Sequence, residues 1–242
     1  MSDTFNKPVY KRILLKLSGE ALAAGSDGIL NFDFVNEVCA TVKECVEAGT
    51  EVAIVVGAGN IWRGRQGGYM DRNRADHMGM LATTINSLAL QDTLINLGVD
   101  ARVLTAVEMK QFAEVYTNAS ARRHLAKGRV VIFGCGIGSP FFSTDTTAAL
   151  RAAEIGADVI LMAKNIDGVY TADPKVDPSA VRLDEITYSE ILAKGLKVID
   201  TTAASFCMEN NIPLFVFGLD KAENIKRAVM GENIGTIVKA GK

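Results

Sequence analysis

The stretch Arg12-Ile13-Leu14-Leu15-Lys16-Leu17-Ser18-Gly19 is a short apolar run that stops abruptly at a serine and a glycine. It reads as a buried strand running into a tight turn. Lys16 interrupts the run just before that turn. A buried ammonium without a counter-charge is costly, so a lysine here needs an anion or an exit to solvent. Snorkelling out at a strand end is the plain structural explanation. The adjacent Ser-Gly turn favours a phosphate-contacting lysine.

The same pattern repeats outward from this strand. Phe34–Ala48 carries Val35, Val38, Cys39, Val42, Cys45 and Val46 at helical spacing, with Asp33 as a candidate N-cap and Gly49 beyond its end. Glu51–Val56 is a second buried strand. A long helix is expected over Asp76–Leu97, then a strand at Ala101–Leu104, a helix at Ser120–Lys127 and a strand at Val130–Phe133. Thr144–Ile155 reads as a helix ended by Gly156, and Val159–Ala163 as a strand. Leu214–Phe217 and Thr236–Val238 are later strands on either side of a helix at Ala222–Met230. Strands without in–out alternation, each linked by a helix, predict an α/β fold with a mostly parallel central sheet covered on both faces. The polar region Asp167–Glu185, with Pro174 and Pro178, is the best candidate for an insertion or hairpin.

Composition narrows the function classes. The 242 residues are 48% hydrophobic and 22% charged, enough to bury a sizeable core in a single domain, 1–242. Lys+Arg 26 against Asp+Glu 28 leaves a net charge of −2, so there is no basic field of the kind that coats nucleic acid. None of the 4 cysteines (Cys39, Cys45, Cys135, Cys207) forms a C-x-x-C pair, and buried free thiols are expected. His77 and His124 are the only histidines, too few for a multi-histidine metal site. No G-x-S-x-G elbow occurs. The polar N-terminus lacks a signal-peptide core and no 18-residue apolar run exists, so no membrane span is expected.

Three loops at expected strand ends are rich in glycine or small residues: Ser18-Gly19-Glu20, Gly57-Ala58-Gly59-Asn60 and Gly134-Cys135-Gly136-Ile137-Gly138-Ser139. In open parallel sheets ligands bind beyond the carboxyl ends of the strands, and glycine lets backbone N–H groups approach an anion. No P-loop motif is present. A dinucleotide fingerprint fails because Trp62 stands at the third glycine position. Any single loop is as well explained by turn geometry; three together favour a phosphate site.

Several side chains join these loops. Arg63 offers a planar donor fork for phosphate, although solvated surface arginines are common. Asp76 reads either as the N-cap of the long helix or as an acceptor for sugar hydroxyls. Asp145 starts the helix after the third loop, where it caps the helix, orients Lys16 or approaches nucleotide-bound Mg²⁺. Asp200 is a weaker candidate of the same kind. His77 is read as a helix-packing residue.

The combination resembles a known family. Tyr10–Leu22, Gly57–Gly64, Asp76–Thr83, Gly138–Asp145 and Asp167–Pro174 are similar, in order, to blocks of the bacterial UMP kinases within the amino acid kinase superfamily. The resemblance implies a three-layer αβα sandwich and the reaction ATP + UMP → ADP + UDP. It implies an acceptor-binding N-terminal lobe and an ATP-binding C-terminal lobe meeting near residues 150–165. It assigns Lys16, Leu17, Ser18, Gly19, Gly59 and Arg63 to the ATP phosphates, and Asn165, Tyr170 and Asp173 to the adenine and ribose end. It assigns Ala58, Asp76, Ile137, Gly138, Ser139, Pro140, Phe141, Phe142, Ser143 and Thr144 to UMP. Lys16, Arg63 and Asp145 are the expected catalytic residues, with Mg²⁺ held mainly by the ATP phosphates and not by a protein site. A cytoplasmic homohexamer, inhibition by UTP and activation by GTP are further implications. Ala58 replaces the middle glycine of the family's Gly-Gly-Gly-Asn loop, so a backbone contact there requires a negative φ. The alternatives are a kinase for a carboxylate or carbamate acceptor, a non-catalytic nucleotide-binding module, and a Rossmann-type oxidoreductase, which the missing third glycine disfavours.

Overall fold

A computed structural model describes residues 7–63, 68–172, 174 and 176–241. The described elements run β1 (Arg12–Leu17), α1 (Gly19–Ala23), α2 (Phe32–Glu47), β2 (Glu51–Val56), α3 (Arg72–Asn96), β3 (Ala101–Thr105), β4 (Glu114–Val115), α4 (Asn118–Leu125), β5 (Val130–Gly134) and α5 (Thr144–Ile155). They continue with β6 (Val159–Lys164), β7 (Val169–Tyr170), β8 (Arg182–Leu183), β9 (Glu185–Thr187), α6 (Tyr188–Lys194), α7 (Thr201–Glu209), β10 (Leu214–Gly218), α8 (Asn224–Val229) and β11 (Gly235–Lys239).

Nine strands form one sheet in the order β4-β3-β5-β2-β1-β6-β10-β11-β9, parallel throughout except for the β10–β11 pair. β1 lies at the centre. Its successor β2 adds on one side and β6 on the other, so a topological switch point falls beside β1, where the chain leaves room for a ligand.

The pleat of β1 divides its side chains between two cores. Ile13, Leu15 and Leu17 pack with Val35, Val38 and Val42 of α2 and with Ile225 and Val229 of α8. Leu14 points the other way, against Met162 of β6, Ala148 and Ala152 of α5, and Ala203 of α7. The result is the expected αβα sandwich. Leu15 is fully buried, so truncating it to alanine costs about 2–5 kcal/mol. By the same alternation Lys16 falls on the face of Leu14, beneath α5.

Several boundaries depart from the sequence reading. α2 is capped by Asn31, whose side chain accepts from the Phe34 N–H at 3.2 Å, and not by Asp33. α3 begins at Arg72, with Asp71 as its N-cap accepting from the Arg74 N–H. Asp76 therefore lies inside the helix rather than capping it. α5 spans Thr144–Ile155 as expected, capped by Ser143 and closed by left-handed Gly156 at φ 68. The polar region after β6 holds the β7–β8 hairpin. Among the described residues no helix is long and apolar enough to cross a membrane.

Candidate active site

All three loops line one cleft of about 510 Å³ at the carboxyl ends of the strands. Lys16, Ser18 and Gly19 come from the first loop, Ala58, Gly59 and Arg63 from the second. Ser139, Phe141, Phe142, Ser143 and Thr144 come from the third, and Asp76 from α3. Leu17, Ile137, Gly138 and Pro140 do not line it; Leu17 turns into the opposite core. Leu17 contributes its carbonyl, which accepts the Gly57 N–H at 3.0 Å and ties the first loop to the second.

At Gly19 the first two loops approach too closely for a side chain. A Cβ on Gly19 would run into the Asn60 side-chain oxygen and stand 2.5 Å from the Gly57 carbonyl. Neither neighbour is free to retreat. Asn60 and the fully buried Asn86 of α3 exchange amide hydrogen bonds at 2.9 and 3.0 Å, and Asn86 also donates to the Gly57 carbonyl at 2.8 Å. Ala58 is not among the left-handed non-glycine residues, so its φ meets the condition for a backbone contact.

Phe141 is left-handed at φ 72. That conformation is uncommon outside glycine and is held here by neighbours. The Phe141 N–H donates to Asp76 Oδ2 at 2.8 Å, Asp76 pairs with Arg72 at 2.8 Å, and the Arg72 guanidinium lies 5.3 Å from the centre of the Phe141 ring. Asp76 thus fixes the third loop to α3. Deeper in the loop, the buried Arg151 guanidinium donates to the Gly136 carbonyl at 3.3 Å and stacks over Tyr116 at 3.7 Å. His77 is exposed, contrary to its reading as a helix-packing residue.

Lys16 Nζ stands 3.1 Å from Asp145 Oδ1, with both side chains largely covered. Ser143, and not Asp145, caps the helix, and Asp145 is paired with Lys16. Asp145 also lines a second cleft of about 670 Å³, together with Lys164, Ile191, Leu192, Lys197, Val198 and Asp200. The Lys16–Asp145 pair is therefore the place where the two clefts meet. Asp200 caps α7 by accepting the Ala203 N–H at 2.9 Å, and it also accepts hydrogen bonds from Ser143 and Thr146. Lys164 Nζ lies 4.0 Å from the other oxygen of Asp145. Burial lowers its pKa, opposed by Asp145 and reinforced by Lys16.

Arg63 pairs with Glu20 across the mouth of the first cleft, both side chains about half exposed. Asn165 is exposed, and Tyr170 donates its hydroxyl to Asp167 at 2.8 Å; neither lines either cleft. Asp173 lies outside the described residues. Glu20, Asn86, Arg72, Arg151 and Lys164 were not singled out from the sequence. A lysine directly after the apolar run Val159–Ala163 carries the same signal as Lys16 and is the one of these that was findable.

Among the described residues no group of three or more histidine, cysteine or carboxylate side chains is placed to hold a metal ion. The second cleft offers two carboxylates, Asp145 and Asp200. That donor set suits a hard cation arriving on phosphate oxygens, which needs only one or two protein carboxylates.

The amino acid kinase family model matches residues 11–218. The chain is 37% identical to a UMP kinase from Bacillus anthracis, with TM-score 0.92, covering 96% of this chain and 97% of that one. It is 41% identical to a UMP kinase from Ureaplasma parvum, with TM-score 0.91 and coverage of 95% and 98%. A uridylate kinase from Archaeoglobus fulgidus is more distant, at 30% identity, TM-score 0.72 and coverage of 93% and 99%. With its glycine loops, its Lys16–Asp145 pair and a family match along most of its length, the chain belongs to the amino acid kinase family.

Proposed function

We propose that this chain transfers the terminal phosphoryl group of ATP to UMP, giving ADP and UDP. The observation that carries the reading is the meeting of two clefts at the Lys16–Asp145 pair, on the rim where all three loops converge.

The acceptor is a phosphate monoester whose second pKa is about 6, so at pH 7 it is mostly a dianion and needs no general base. Among the described residues no histidine lines either cleft, in keeping with that chemistry. An oxygen of the UMP phosphate forms a bond to the terminal phosphorus of ATP. The bond from that phosphorus to the bridging oxygen breaks, and its electron pair leaves with ADP. The difficulty is bringing two anions together, which positive charge must offset. Lys16 and the amides of the glycine loops supply it on the rim. Arg63 joins them by leaving Glu20, since an exposed ion pair contributes only about 0–1 kcal/mol.

UMP is assigned to the first cleft, with Ala58, Asp76, Ser139 and Phe141 to Thr144, and with Ile137, Gly138 and Pro140 shaping the loop. ATP phosphates are assigned to Lys16–Gly19, Gly59 and Arg63, with the adenine and ribose end toward Asn165, Tyr170 and Asp173. The first cleft draws on residues up to Thr147 and the second on residues from Asp145 onward, which supports acceptor and donor lobes dividing near 150–165. A kinase using ATP implies a divalent cation. Mg²⁺ is our choice, held by the ATP phosphates with Asp145 or Asp200 at hand. When bound it supplies neutralisation of phosphate charge.

Family likeness also supports a cytoplasmic homohexamer in pyrimidine nucleotide biosynthesis, inhibited by UTP and activated by GTP. Met78, Leu81 and Ile85 form an exposed apolar stripe on α3, a feature that supports a subunit contact. The test is ADP release, measured by a coupled assay, with UMP, CMP, aspartate, glutamate and carbamate as acceptors. UMP should turn over fastest. Faster turnover of a carboxylate or carbamate, or nucleotide binding without turnover, would replace this reading.

A further inference from the structure

Lys164 is the last residue of β6, and β6 lies beside β1 with Lys16 paired to Met162. Side chains two residues apart on a strand share a face, so Lys164 follows Met162 on the face that carries Lys16. The two lysines thus project one pleat apart toward the same helix start. There Asp145 meets both, one oxygen 3.1 Å from Lys16 and the other 4.0 Å from Lys164.

One carboxylate, Asp145, is thus shared between two ammonium groups. The Lys164 side chain is three-quarters covered, yet among the described residues it makes no hydrogen bond; its contact with Asp145 is an ion pair beyond hydrogen-bond reach. Its three donors border the second cleft and are not spent on a protein acceptor. Its neighbours in the second cleft are Lys197 and the carboxylates Asp145 and Asp200, the latter already accepting from Ala203 and Thr146. Such a group is stabilised by an anion entering from the cleft side.

We propose that Lys164 binds the phosphates of the donor nucleotide from the second cleft. Lys16 reaches the same phosphate chain from the first cleft, and Asp145 holds both lysines apart at a fixed spacing. Lys164 exchanges no proton in the transfer; its charge offsets the negative charge that builds on the departing diphosphate. The inference rests on the phosphotransfer reading above and adds a donor-side residue to it.

The experiment compares the full-length protein with Lys164→Met, Lys164→Gln and Lys164→Arg in the ADP-release assay, varying ATP and UMP separately. Loss of one charged hydrogen bond to phosphate corresponds to roughly 10–100-fold. The KM for ATP should rise by that order in the Met and Gln variants and kcat should fall, while the KM for UMP stays unchanged. Arginine, which keeps the charge, should restore most of the ATP affinity. Gln keeps a polar head in the cleft and covers the case in which Met fails to fold. A variant with unchanged ATP KM and kcat overturns the proposal. So does a fall in kcat with both KM values unchanged, which marks Lys164 as a buttress for Asp145. Absence of UMP-dependent turnover in the unsubstituted protein is a different failure, that of the phosphotransfer reading itself.

Discussion

Asp145 joins β1 to β6 through their lysines: its two oxygens face Lys16 at 3.1 Å and Lys164 at 4.0 Å. Replacing it by asparagine keeps the shape and removes the charge, leaving two ammonium groups with no counter-ion between them. A fully enclosed pair broken in this way costs about 3–5 kcal/mol. Both heads border open clefts, so about 1–3 kcal/mol is expected for Asp145→Asn, with a fall in kcat on the order of tenfold or more. Thermal unfolding together with the ADP-release assay measures both. An unchanged Tm with unchanged kcat would show that the lysines do not need Asp145.

Gly19 is where backbone packing is tightest. The Cβ of Gly19→Ala meets Asn60 and the Gly57 carbonyl, both pinned by Asn86. Overpacking of this kind costs about 1–3 kcal/mol and shifts the first two loops, so activity should fall on the order of a hundredfold. Gly98→Ala is the control. Gly98 has φ +85 with no atom within 4 Å of a new Cβ. It should lose about 1–2 kcal/mol of stability from the left-handed backbone and keep its kcat. Equal activity losses in the two variants would contradict the loop argument.

The thiols should be inert in the folded protein. Burial pushes Cys39 and Cys45 up to about 12 and Cys207 up to about 11, and raises Cys135 as well. At pH 8 a thiol of pKa 12 is thiolate in roughly one molecule in ten thousand, and the thiolate is the reactive form. A thiol-exchange reagent should titrate nothing quickly in the native protein and all 4 cysteines once it is denatured. Rapid native reaction of any one of them would show that its helix or loop opens.

Much of this architecture was legible because parallel strands buried on both faces are written as unbroken apolar runs. β1, β2, β5 and β6 were each found within a residue or two of their ends. The glycine loops and Lys16 stood out because each contradicts the run before it. The caps of α2 and α3 do not follow from residue type, for a simple reason. Asn31 and Asp33, or Asp71 and Asp76, carry the same capping chemistry, and only the backbone angle decides between them. The exposure of His77 is not legible in the sequence because helical periodicity does not say which side the core lies on. α3 exposes Met78, Leu81 and Ile85 while burying Asn86 and Ser87, the reverse of the usual apolar pattern. Asn86 was invisible for the same reason: its role arises from the Gly57 carbonyl and Asn60, which only the fold brings to it. The short β4 lacks an apolar run long enough to read, whereas the β7–β8 pair shows in the sequence as a polar, proline-bearing hairpin candidate.

The central claim is that Lys16 sits where donor and acceptor meet and stabilises the transferring charge. The direct measurement is kcat for Lys16→Met in the ADP-release assay at saturating ATP and UMP. Removal of one electrostatic stabiliser of a transition state predicts a fall on the order of 10²–10³-fold, in a protein that still folds and still binds nucleotide. A variant that folds and keeps near-full kcat contradicts the account.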